Sequence, residues 1–475
     1  MPKVGMVSLG CPKNLVDSEV MLGTLVNQGF ELTPRPEEAD IIIVNTCAFI
    51  EPAKQESINT ILEMAEYKKF GAAKKLVVAG CLVERYRNEI RQQIPEVDYV
   101  IGTNELESIL LACADQPQQP TGGKPAEPYL YHEFTPRVLS TPGYSAYLKI
   151  AEGCDHPCTF CVIPQMRGAF RSRRFASVIR EAENLAKQGV RELTIVGQDT
   201  TSYGEDLGLR DGLPTLLREL GRIPELVWVR FLYCYPNRVT DALIAAVAET
   251  PKVAKYFDIP LQHASGSVLK LMKRGSNGQQ FLRMLEKIRA AIPGVALRTS
   301  FIVGFPGETD DDFKALLDFA AAAEFDHLGV FLYSNEESSR SFDLPNAVPA
   351  PTARRRQKQL MSLQRKISRH NLRMMVGKSL PVLVEGPSEE TDLLYQGRME
   401  RQAPGIDGCI LINDFEGSEP QRGDFRWATI TEVGDYDLVA RLEERFFAER
   451  LAPENQLPAA GALVQIQPAA AVPSN

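Results

Sequence analysis

Three cysteines, Cys154, Cys158 and Cys161, lie within eight residues of one another in the spacing CxxxCxxC. At that spacing all three thiolates can reach one metal centre. A structural zinc site normally adds a fourth Cys or His nearby, and a bacterial ferredoxin segment adds a further Cys followed by Pro. The residues just after Cys161 include neither. Three protein ligands leave one metal position open for a substrate or cofactor, so the spacing predicts a catalytic metal centre.

Three more cysteines, Cys11, Cys47 and Cys81, each come shortly after an apolar segment of strand length. Helical patterns separate these segments, which indicates a parallel α/β sheet. The loops at the carboxyl ends of parallel strands lie along one edge of the sheet, so the three thiols are predicted to meet there in a second metal site. The alternative is that each is an ordinary buried cysteine. The apolar segments are residues 4–9, 40–45 and 76–79.

Six further strand candidates follow residue 145, several of them separated by helical segments. This order predicts a partial, TIM-like β/α barrel with its active site at the carboxyl ends of the strands. Cys154 follows the first strand, Gln198 the second and Gln262 the fourth, while Gly304 and Gly307 follow the fifth. The predicted strands are residues 146–150, 193–196, 227–232, 256–259, 297–303 and 328–332.

The C-terminal part combines a basic helical segment with a region of short β-like runs. The helix, residues 354–375, fits either contact with RNA or an ordinary solvated face. The runs in residues 377–442 are broken by Gly and Asp and predict a small antiparallel β-barrel. That barrel contains six Lys and Arg against thirteen Asp and Glu. Such a surface would repel an RNA backbone and attract a basic protein.

Length and composition indicate a soluble protein of several domains. The chain has 475 residues, 44% of them hydrophobic, and a net charge of -8, which argues against a general nucleic-acid binder. No apolar run is long enough to span a membrane and no signal peptide is recognisable, so a cytoplasmic location with reduced thiols is predicted. The predicted division is an α/β domain at 1–113, a linker at 114–143, the barrel and its trailing helix at 144–375, the small β-barrel at 376–442 and a disordered tail at 443–475.

The pattern as a whole resembles a known enzyme family. CxxxCxxC after the first strand of a partial barrel, with the aromatic Phe160 before the last cysteine, resembles the radical S-adenosylmethionine (SAM) superfamily. The upstream cysteines and the late β-rich region, which resembles a TRAM module, narrow the resemblance to the methylthiotransferases. Four motifs are most similar to the branch that modifies a ribosomal protein; they are LGCPKN at 9–14, PQMRG at 164–168, GQDT at 197–200 and DIPLQHAS at 258–265.

The resemblance implies two 4Fe-4S clusters. Cys154, Cys158 and Cys161 would hold one, with SAM on its open iron, and one-electron cleavage of SAM would give a 5'-deoxyadenosyl radical. Cys11, Cys47 and Cys81 would hold an auxiliary cluster that carries the transferred sulfur, and a second SAM would supply the methyl group. The expected cofactor contacts are Phe160, Gln198, Gln262, Gly304 and Gly307. Residues 304–308 also fit a plain Gly-Pro turn that leads into a helix.

The predicted function is methylthiolation of the β-carbon of an aspartate in ribosomal small-subunit protein twelve, with electrons from a reducing electron-transfer protein. One alternative keeps the chemistry but changes the substrate to an adenosine in tRNA. A second is a non-catalytic RNA-binding protein whose thiols hold zinc. His156 and His263 are predicted to be hydrogen-bonded structural residues. The remaining cysteines, Cys113, Cys234 and Cys409, fit no ligand spacing and are predicted to be structural.

Overall fold

The N-terminal part of the chain forms the predicted parallel α/β sheet. The computed structural model describes residues 1–114, 129–388, 391, 393–450 and 464–468. The elements of this first unit are β1 (Lys3–Gly10), α1 (Pro12–Asn27), β2 (Glu31–Leu32), β3 (Ile41–Thr46), α2 (Glu51–Phe70), β4 (Lys75–Gly80), α3 (Cys81–Gln93), β5 (Tyr99–Ile101) and α4 (Ile109–Cys113).

The strands β1, β3, β4 and β5 pair in that order and are all parallel. Alternate residues of each strand enter two separate cores: Ile42 and Val44 pack towards α2 and α3, whereas Ile41 and Ile43 pack towards α1 and α4. Both faces are therefore covered by helices, which is why these strands read as continuous apolar runs. The short strands β2 and β5 were not predicted, because two or three residues carry little periodic signal.

All six predicted strands of the partial barrel are present. The elements of this unit are β6 (Ser145–Lys149), β7 (Ala151–Glu152), α5 (Ile163–Arg167), β8 (Arg171–Ser172), α6 (Phe175–Lys187), β9 (Glu192–Val196), α7 (Gly212–Leu220), β10 (Trp228–Phe231), α8 (Asp241–Glu249), β11 (Tyr256–Asp258), α9 (Gly266–Leu271), α10 (Gly278–Ala291), β12 (Ala296–Val303), α11 (Asp310–Ala323), β13 (His327–Leu332) and α12 (Ala350–Arg373). The long strands form two parallel sheets, β6-β9-β10 and β11-β12-β13.

The two sheets follow one another around the barrel. Cys234, just after β10, donates its backbone N–H to the carbonyl of Asp258 at the end of β11, at 2.9 Å. The barrel helices and strands share one core that runs from Ala146 to Leu360. The small strands β7 and β8 pair with each other and close the base of the loop that carries Cys154, Cys158 and Cys161. This arrangement places that loop at the carboxyl end of the first barrel strand.

The C-terminal unit is the predicted small barrel. Its strands are β14 (Ser379–Pro387), β15 (Tyr395–Arg398), β16 (Ile410–Phe415), β17 (Phe425–Val433) and β18 (Leu438–Phe446). They close in the order β14-β15-β16-β18-β17. Four of the five pairings are antiparallel, but β16 and β18 run parallel. A closed barrel with an odd number of strands cannot alternate direction at every step, so the expectation of a wholly antiparallel barrel was wrong at this one pairing.

The loop between β15 and β16 closes the amino end of the partial barrel. Ala403 is buried in one cluster with Tyr256 and Ala296, the first residues of β11 and β12. The Tyr256 hydroxyl donates to Asp407 at 2.7 Å. The cysteine loop lies at the carboxyl ends of the same parallel strands. The small barrel therefore seals the barrel end opposite the predicted active site.

The predicted linker and tail are partly packed against the rest of the molecule. Residues 115–128 of the linker lie outside the described residues, but Arg137 bridges the two units by ion pairs to Glu19 at 2.6 Å and to Glu181 at 2.8 Å. In the tail, β18 extends to Phe446, and β19 (Val464–Pro468) pairs in parallel with β1. These strands differ from the disordered tail predicted from composition, because the open edge of β1 offers backbone groups for pairing. Residues 451–463 and 469–475 lie outside the described residues.

Within the described residues, no helix combines the length and the apolar character needed to cross a membrane.

Candidate functional site

The loop of residues 153–170 holds the first cysteine triad in a fixed turn. The Cys154 backbone N–H donates to the Gly168 carbonyl at 3.2 Å, and the Cys161 backbone N–H donates to the Cys158 carbonyl at 3.3 Å. Gly153 has a positive φ of 82°, and a Cβ there would lie 2.1 Å from the Ala169 carbonyl oxygen. Only glycine fits this close approach, so the chain can turn from β7 directly into the cysteine loop.

Polar groups surround the sulfurs of the first triad. Arg274 Nη1 donates to Cys158 Sγ at 3.5 Å. Burial raises the pKa of the Cys154 thiol to about 11 and that of Cys161 to about 12, although backbone N–H groups of His156 and Ile163 act in the opposite direction. Hydrogen bonds to the sulfurs stabilise a thiolate-ligated iron centre. Because ligation requires thiolates, assembly of a metal centre here would release protons.

His156, inside the cysteine loop, is a hydrogen-bonded structural residue in the described structure. Its Nε2 lies 2.6 Å from Asp199 Oδ2, and its ring stacks on Tyr235 with the centroids 3.6 Å apart. The Arg274 guanidinium covers the same Tyr235 ring at 4.4 Å. These contacts join the cysteine loop to the ends of the second and third barrel strands. His263 accepts a hydrogen bond from the Ser265 backbone N–H at 3.0 Å, which is also a structural role.

The second cysteine triad lies along one edge of the N-terminal sheet, where the sequence places it. Cys11, Cys47 and Cys81 follow β1, β3 and β4, which are adjacent strands. Gly10 has a φ of 91°, and a Cβ there would lie 2.8 Å from Cys47 Cβ. The loops after β1 and β3 can therefore approach each other closely only because position 10 is glycine.

The electrostatic environment differs among the three thiols of this edge. Burial, reinforced by the neighbouring thiols, raises the pKa of Cys47 to about 12. Burial also acts on Cys11, but the cations Lys13 and Arg167 outweigh it and hold the pKa of Cys11 below its ordinary value. Burial raises the pKa of the Cys81 thiol, although the positive charge of Arg167 acts in the opposite direction. Cations and N–H donors thus face the edge where the thiols meet, which fits an anionic iron-sulfur centre.

Arg167 connects the two triads. It lies at the end of α5, six positions after Cys161, and its guanidinium donates to Asp17 at 2.6 Å and to Asn14 at 2.9 Å on α1. Its positive charge also acts on the Cys81 thiol, as described above. The neighbouring Val162 and Met166 are buried in the core of the N-terminal sheet, together with Cys81 itself. The segment that follows the first triad therefore packs in the same core as Cys81 of the second triad.

A buried ionic network continues from Arg167 into the barrel. Glu152, at the end of β7, accepts from Lys149 at 2.8 Å, from Arg167 at 3.3 Å and from Gln198 Nε2 at 2.6 Å. Burial opposes ionisation of this carboxyl group, but Lys149 and Arg167 outweigh it and lower the pKa of Glu152 to about 2. Lys149 also pairs with Asp17. Every charge in this network has a partner, so the network fixes the two units against each other.

The predicted cofactor contacts lie around the mouth of the barrel. Gln198 Oε1 is buried and has no hydrogen-bond partner among the described residues. Gln262 has a positive φ of 72°, which is uncommon for a residue with a side chain. Phe160 packs against Phe305, and Gly304 lines an adjacent cavity of about 240 Å³.

The glycines after β12 also have a packing explanation. A Cβ at Gly304 would lie 2.6 Å from Ala353 Cβ of α12, and the Gly307 backbone N–H donates to the Asn346 carbonyl at 2.9 Å. Both glycines have positive φ angles. These contacts support the interpretation of residues 304–308 as a turn. Cofactor contact by Gly304 and Gly307 stays a prediction.

Among the described residues, no three His, Cys, Asp or Glu side chains converge closely enough to share one metal ion. Thiolates that hold a polynuclear cluster bind different irons, so they need not converge on a single point. The six site cysteines form no disulfide bonds.

The sequence assigned no role to four charged residues of this site. Lys13 and Arg167 lie within LGCPKN and PQMRG, and Arg274 and Glu152 carried no motif at all. The sequence signal that could have identified such residues is a charged side chain close to a predicted ligand or at the end of an apolar strand.

The chain matches three families along its length. Residues 3–102 match "Uncharacterized protein family UPF0004", residues 148–320 match the "Radical SAM superfamily" and residues 376–442 match the "TRAM domain". The same order of units was predicted from the sequence.

Curated relatives match over almost the whole chain. "Ribosomal protein uS12 methylthiotransferase RimO" of Solibacter usitatus is 60% identical, and the match covers 99% of this chain and 100% of the relative. Proteins of the same name from Koribacter versatilis and Myxococcus xanthus are 55% and 48% identical, and each match covers 93% of this chain and 96% and 91% of the respective relative.

A solved structure shows a similar fold. The radical S-adenosylmethionine methyltransferase TsrM from Kitasatospora setae matches with a TM-score of 0.52 at 18% identity, over 72% of this chain and 77% of that one.

Proposed function

This chain is a radical SAM methylthiotransferase of the RimO family, and from that premise we propose that it methylthiolates the β-carbon of an aspartate in ribosomal protein uS12. The substrate is taken from the names of the relatives, and the aspartate from the motif resemblance. Both favour modification of uS12 over modification of tRNA. They also favour an enzyme over a non-catalytic, zinc-stabilised RNA-binding protein. The acidic C-terminal barrel supports a basic protein substrate, since it would attract uS12 and repel an RNA backbone.

The two cysteine triads would hold the two iron-sulfur clusters. Cys154, Cys158 and Cys161 fit the SAM-binding cluster, because their loop opens at the barrel mouth. Cys11, Cys47 and Cys81 fit the auxiliary cluster on the edge of the N-terminal sheet. When bound, the clusters and SAM supply the electron, the radical and the sulfur for the reaction.

The residues of the chain would bind and orient these groups. The Gln198 amide is held by Glu152 and leaves Oε1 free to accept a hydrogen bond from SAM. Phe160, Gln262, Gly304 and Gly307 remain the other proposed cofactor contacts. Arg274 and the backbone N–H groups would stabilise the thiolates of Cys154, Cys158 and Cys161. A reducing electron-transfer protein and a cytoplasmic location, where thiols stay reduced, complete the proposal.

The observation that carries the proposal is the packing of the segment around Arg167, which follows the first triad, against the N-terminal sheet that carries the second triad. Direct transfer of sulfur requires the two metal centres to face one substrate. Val162 and Met166, which flank α5 after the first triad, pack in one core with Cys81 of the second. On the same segment, Arg167 joins the ionic network around Glu152 and Asp17, which fixes that geometry. A two-centre reaction is therefore sterically consistent with this structure.

The test replaces each triad by alanine in the anaerobically reconstituted enzyme. Wild type is expected to bind about eight irons, four per cluster, and to add a methylthio group to uS12. Alanine at Cys154, Cys158 and Cys161 should abolish SAM cleavage. Alanine at Cys11, Cys47 and Cys81 should leave cleavage largely intact and stop sulfur insertion, because only the second centre is lost.

The matched control is Cys113→Ala, a buried cysteine at the end of α4 that should leave both reactions unchanged. Products are identified by mass spectrometry with uS12 and tRNA supplied separately. Modification of tRNA alone would contradict the proposed substrate, and zinc without iron would contradict the radical chemistry.

A further inference from the structure

Lys13 is a buried cation that lacks a carboxylate partner. Lys13 lies in the first turn of α1, two positions after Cys11, and the residue is 7% exposed. Its ammonium lies 3.4 Å from the centre of the Tyr233 ring. Among the ion pairs of the described residues, none involves Lys13. The anionic group beside this ammonium is the Cys11 thiolate. Burial of a charge without a carboxylate partner is costly, so a lysine at such a position points to a further anion that joins it.

The other buried cations near the two triads already donate to groups of the protein. Arg167 and Lys149 share the carboxylates of Asp17 and Glu152. Arg274 donates to Cys158 and to the Pro260 carbonyl at the far side of the barrel mouth. Lys13 has no carboxylate or carbonyl acceptor among the contacts of the described residues, so it can accept a carboxylate without breaking an existing ion pair or hydrogen bond to a carbonyl.

Lys13 also connects the second triad to the mouth of the barrel. It belongs to the N-terminal unit, two positions after Cys11, yet it contacts Tyr233, two positions past the carboxyl end of β10 in the barrel. Tyr233 has a positive φ of 64°, and its backbone N–H is held by Asp258 at 2.9 Å. Strained backbone that is fixed by its surroundings is typical of binding sites. The ammonium therefore lies at the barrel mouth, near Cys11 of the second triad.

We propose that Lys13 binds the side-chain carboxylate of the substrate aspartate and so selects aspartate as the residue to be modified. The inference rests on the proposed function, which puts the modified carbon next to that carboxylate. An ion pair between Lys13 and the carboxylate holds the β-carbon at a fixed place between the triads. The Tyr233 ring keeps the ammonium in place when no substrate is bound, because a cation is attracted to the face of an aromatic ring.

A purely structural role for Lys13 makes a different prediction. If the ammonium only compensates the negative thiolates of Cys11 and its neighbours, its removal should lower the iron content of the second site. It should not change the preference for one substrate side chain over another. The two roles are therefore separated by measuring iron and substrate preference in the same protein.

The experiment compares uS12 carrying Asp with uS12 carrying Asn at the modified position. We expect the reconstituted wild-type enzyme to bind the Asp form roughly ten-fold more tightly, as for one charge-assisted hydrogen bond. Lys13→Met should bind both forms equally, and Lys13→Arg should keep the preference. Lys69→Met, an exposed lysine on α2, is the matched control and should behave as wild type.

A second measurement does not depend on the folding of a variant. A carbodiimide couples a carboxylate to an amine that it contacts, so treatment of the wild-type complex should yield an amide between Lys13 and the substrate aspartate. Peptide mass spectrometry identifies the coupled residues. Coupling of that aspartate to other lysines, with none at Lys13, would overturn the inference.

The outcomes also separate this inference from the proposed function. If the wild-type enzyme does not modify uS12, the proposed function fails. If it does modify uS12 but Lys13→Met retains the ten-fold preference for Asp, only the role of Lys13 fails.

Discussion

Gln198 is held at one end of its amide and free at the other. Nε2 donates to Glu152 at 2.6 Å, while the buried Oε1 has no partner among the described residues. A buried acceptor without a donor carries a desolvation cost, which a bound ligand can recover. The sequence identified this residue by its place after the second barrel strand, and the orphaned oxygen adds a chemical reason for cofactor contact.

Gln198→Leu is expected to weaken SAM binding about ten-fold, because one hydrogen bond is lost and Glu152 loses a donor. Equilibrium binding of SAM to the reconstituted enzyme measures the effect. Gln188→Leu, an exposed glutamine after α6, is the control with the same change in side chain. Equal affinities of the Gln198 variant and wild type would remove Gln198 from the cofactor site.

The loop that follows β13 joins the N-terminal unit to the cysteine loop. Buried Glu336 pairs with Arg85 at 2.8 Å and with Lys54 at 3.1 Å, both from the N-terminal unit. A few residues later, the Ser341 backbone N–H donates to the Thr159 carbonyl, between Cys158 and Cys161, at 3.0 Å. This loop therefore acts as a clasp that sets the position of the N-terminal sheet relative to the first triad.

Glu336→Gln should loosen the clasp without touching either triad. Loss of the carboxylate leaves Arg85 and Lys54 without their shared partner, and we expect SAM cleavage to continue while the methylthiolated product per SAM cleaved falls several-fold. The ratio of modified uS12 to 5'-deoxyadenosine reports this coupling. The neighbouring exposed residue supplies the control, Glu337→Gln, and an unchanged ratio in Glu336→Gln would show that the clasp does not set the alignment.

At the scale of the whole molecule, the C-terminal barrel is built into the base of the partial barrel. Arg398 on β15 forms a two-pronged ion pair with Glu192 at the start of β9, with one of the contacts at 2.7 Å. Both side chains are buried. Burial opposes ionisation of Glu192, but Arg398 outweighs it and holds the pKa of Glu192 below its ordinary value. The small barrel is thus an integral part of the stability of the catalytic unit.

Arg398→Met should destabilise the protein by about 3–5 kcal/mol at neutral pH, because it leaves a buried carboxylate short of a partner. A carboxyl group with a depressed pKa stabilises the fold above its unfolded value of about 4.3 and loses that contribution as the pH falls. The difference in Tm between variant and wild type should therefore be constant from pH 8 to about pH 5 and narrow below about pH 4. Thermal unfolding across this range measures it, with Arg441→Met on the exposed side of β18 as the control.

The sequence by itself determined the features that depend on neighbouring residues. The spacing of Cys154, Cys158 and Cys161 predicts an open metal centre, and the alternation of strand and helix patterns specifies the parallel sheet and the partial barrel. The place of Cys11, Cys47 and Cys81 followed from one topological rule, that the carboxyl ends of parallel strands share an edge. These conclusions needed no knowledge of which side chains meet.

Only the tertiary structure decided which distant charges are partners. Arg398 and Glu192 are 206 residues apart, and Arg167 and Asp17 are 150 apart. No local pattern encodes such pairs, because the sequence around an arginine does not show which distant carboxylate the fold will bury beside it. For the same reason the sequence places Lys13 near the predicted ligand Cys11 but could not show that it is buried against Tyr233 without a carboxylate partner. The selection of the substrate side chain at this lysine is therefore an inference that the fold, rather than the motif, makes available.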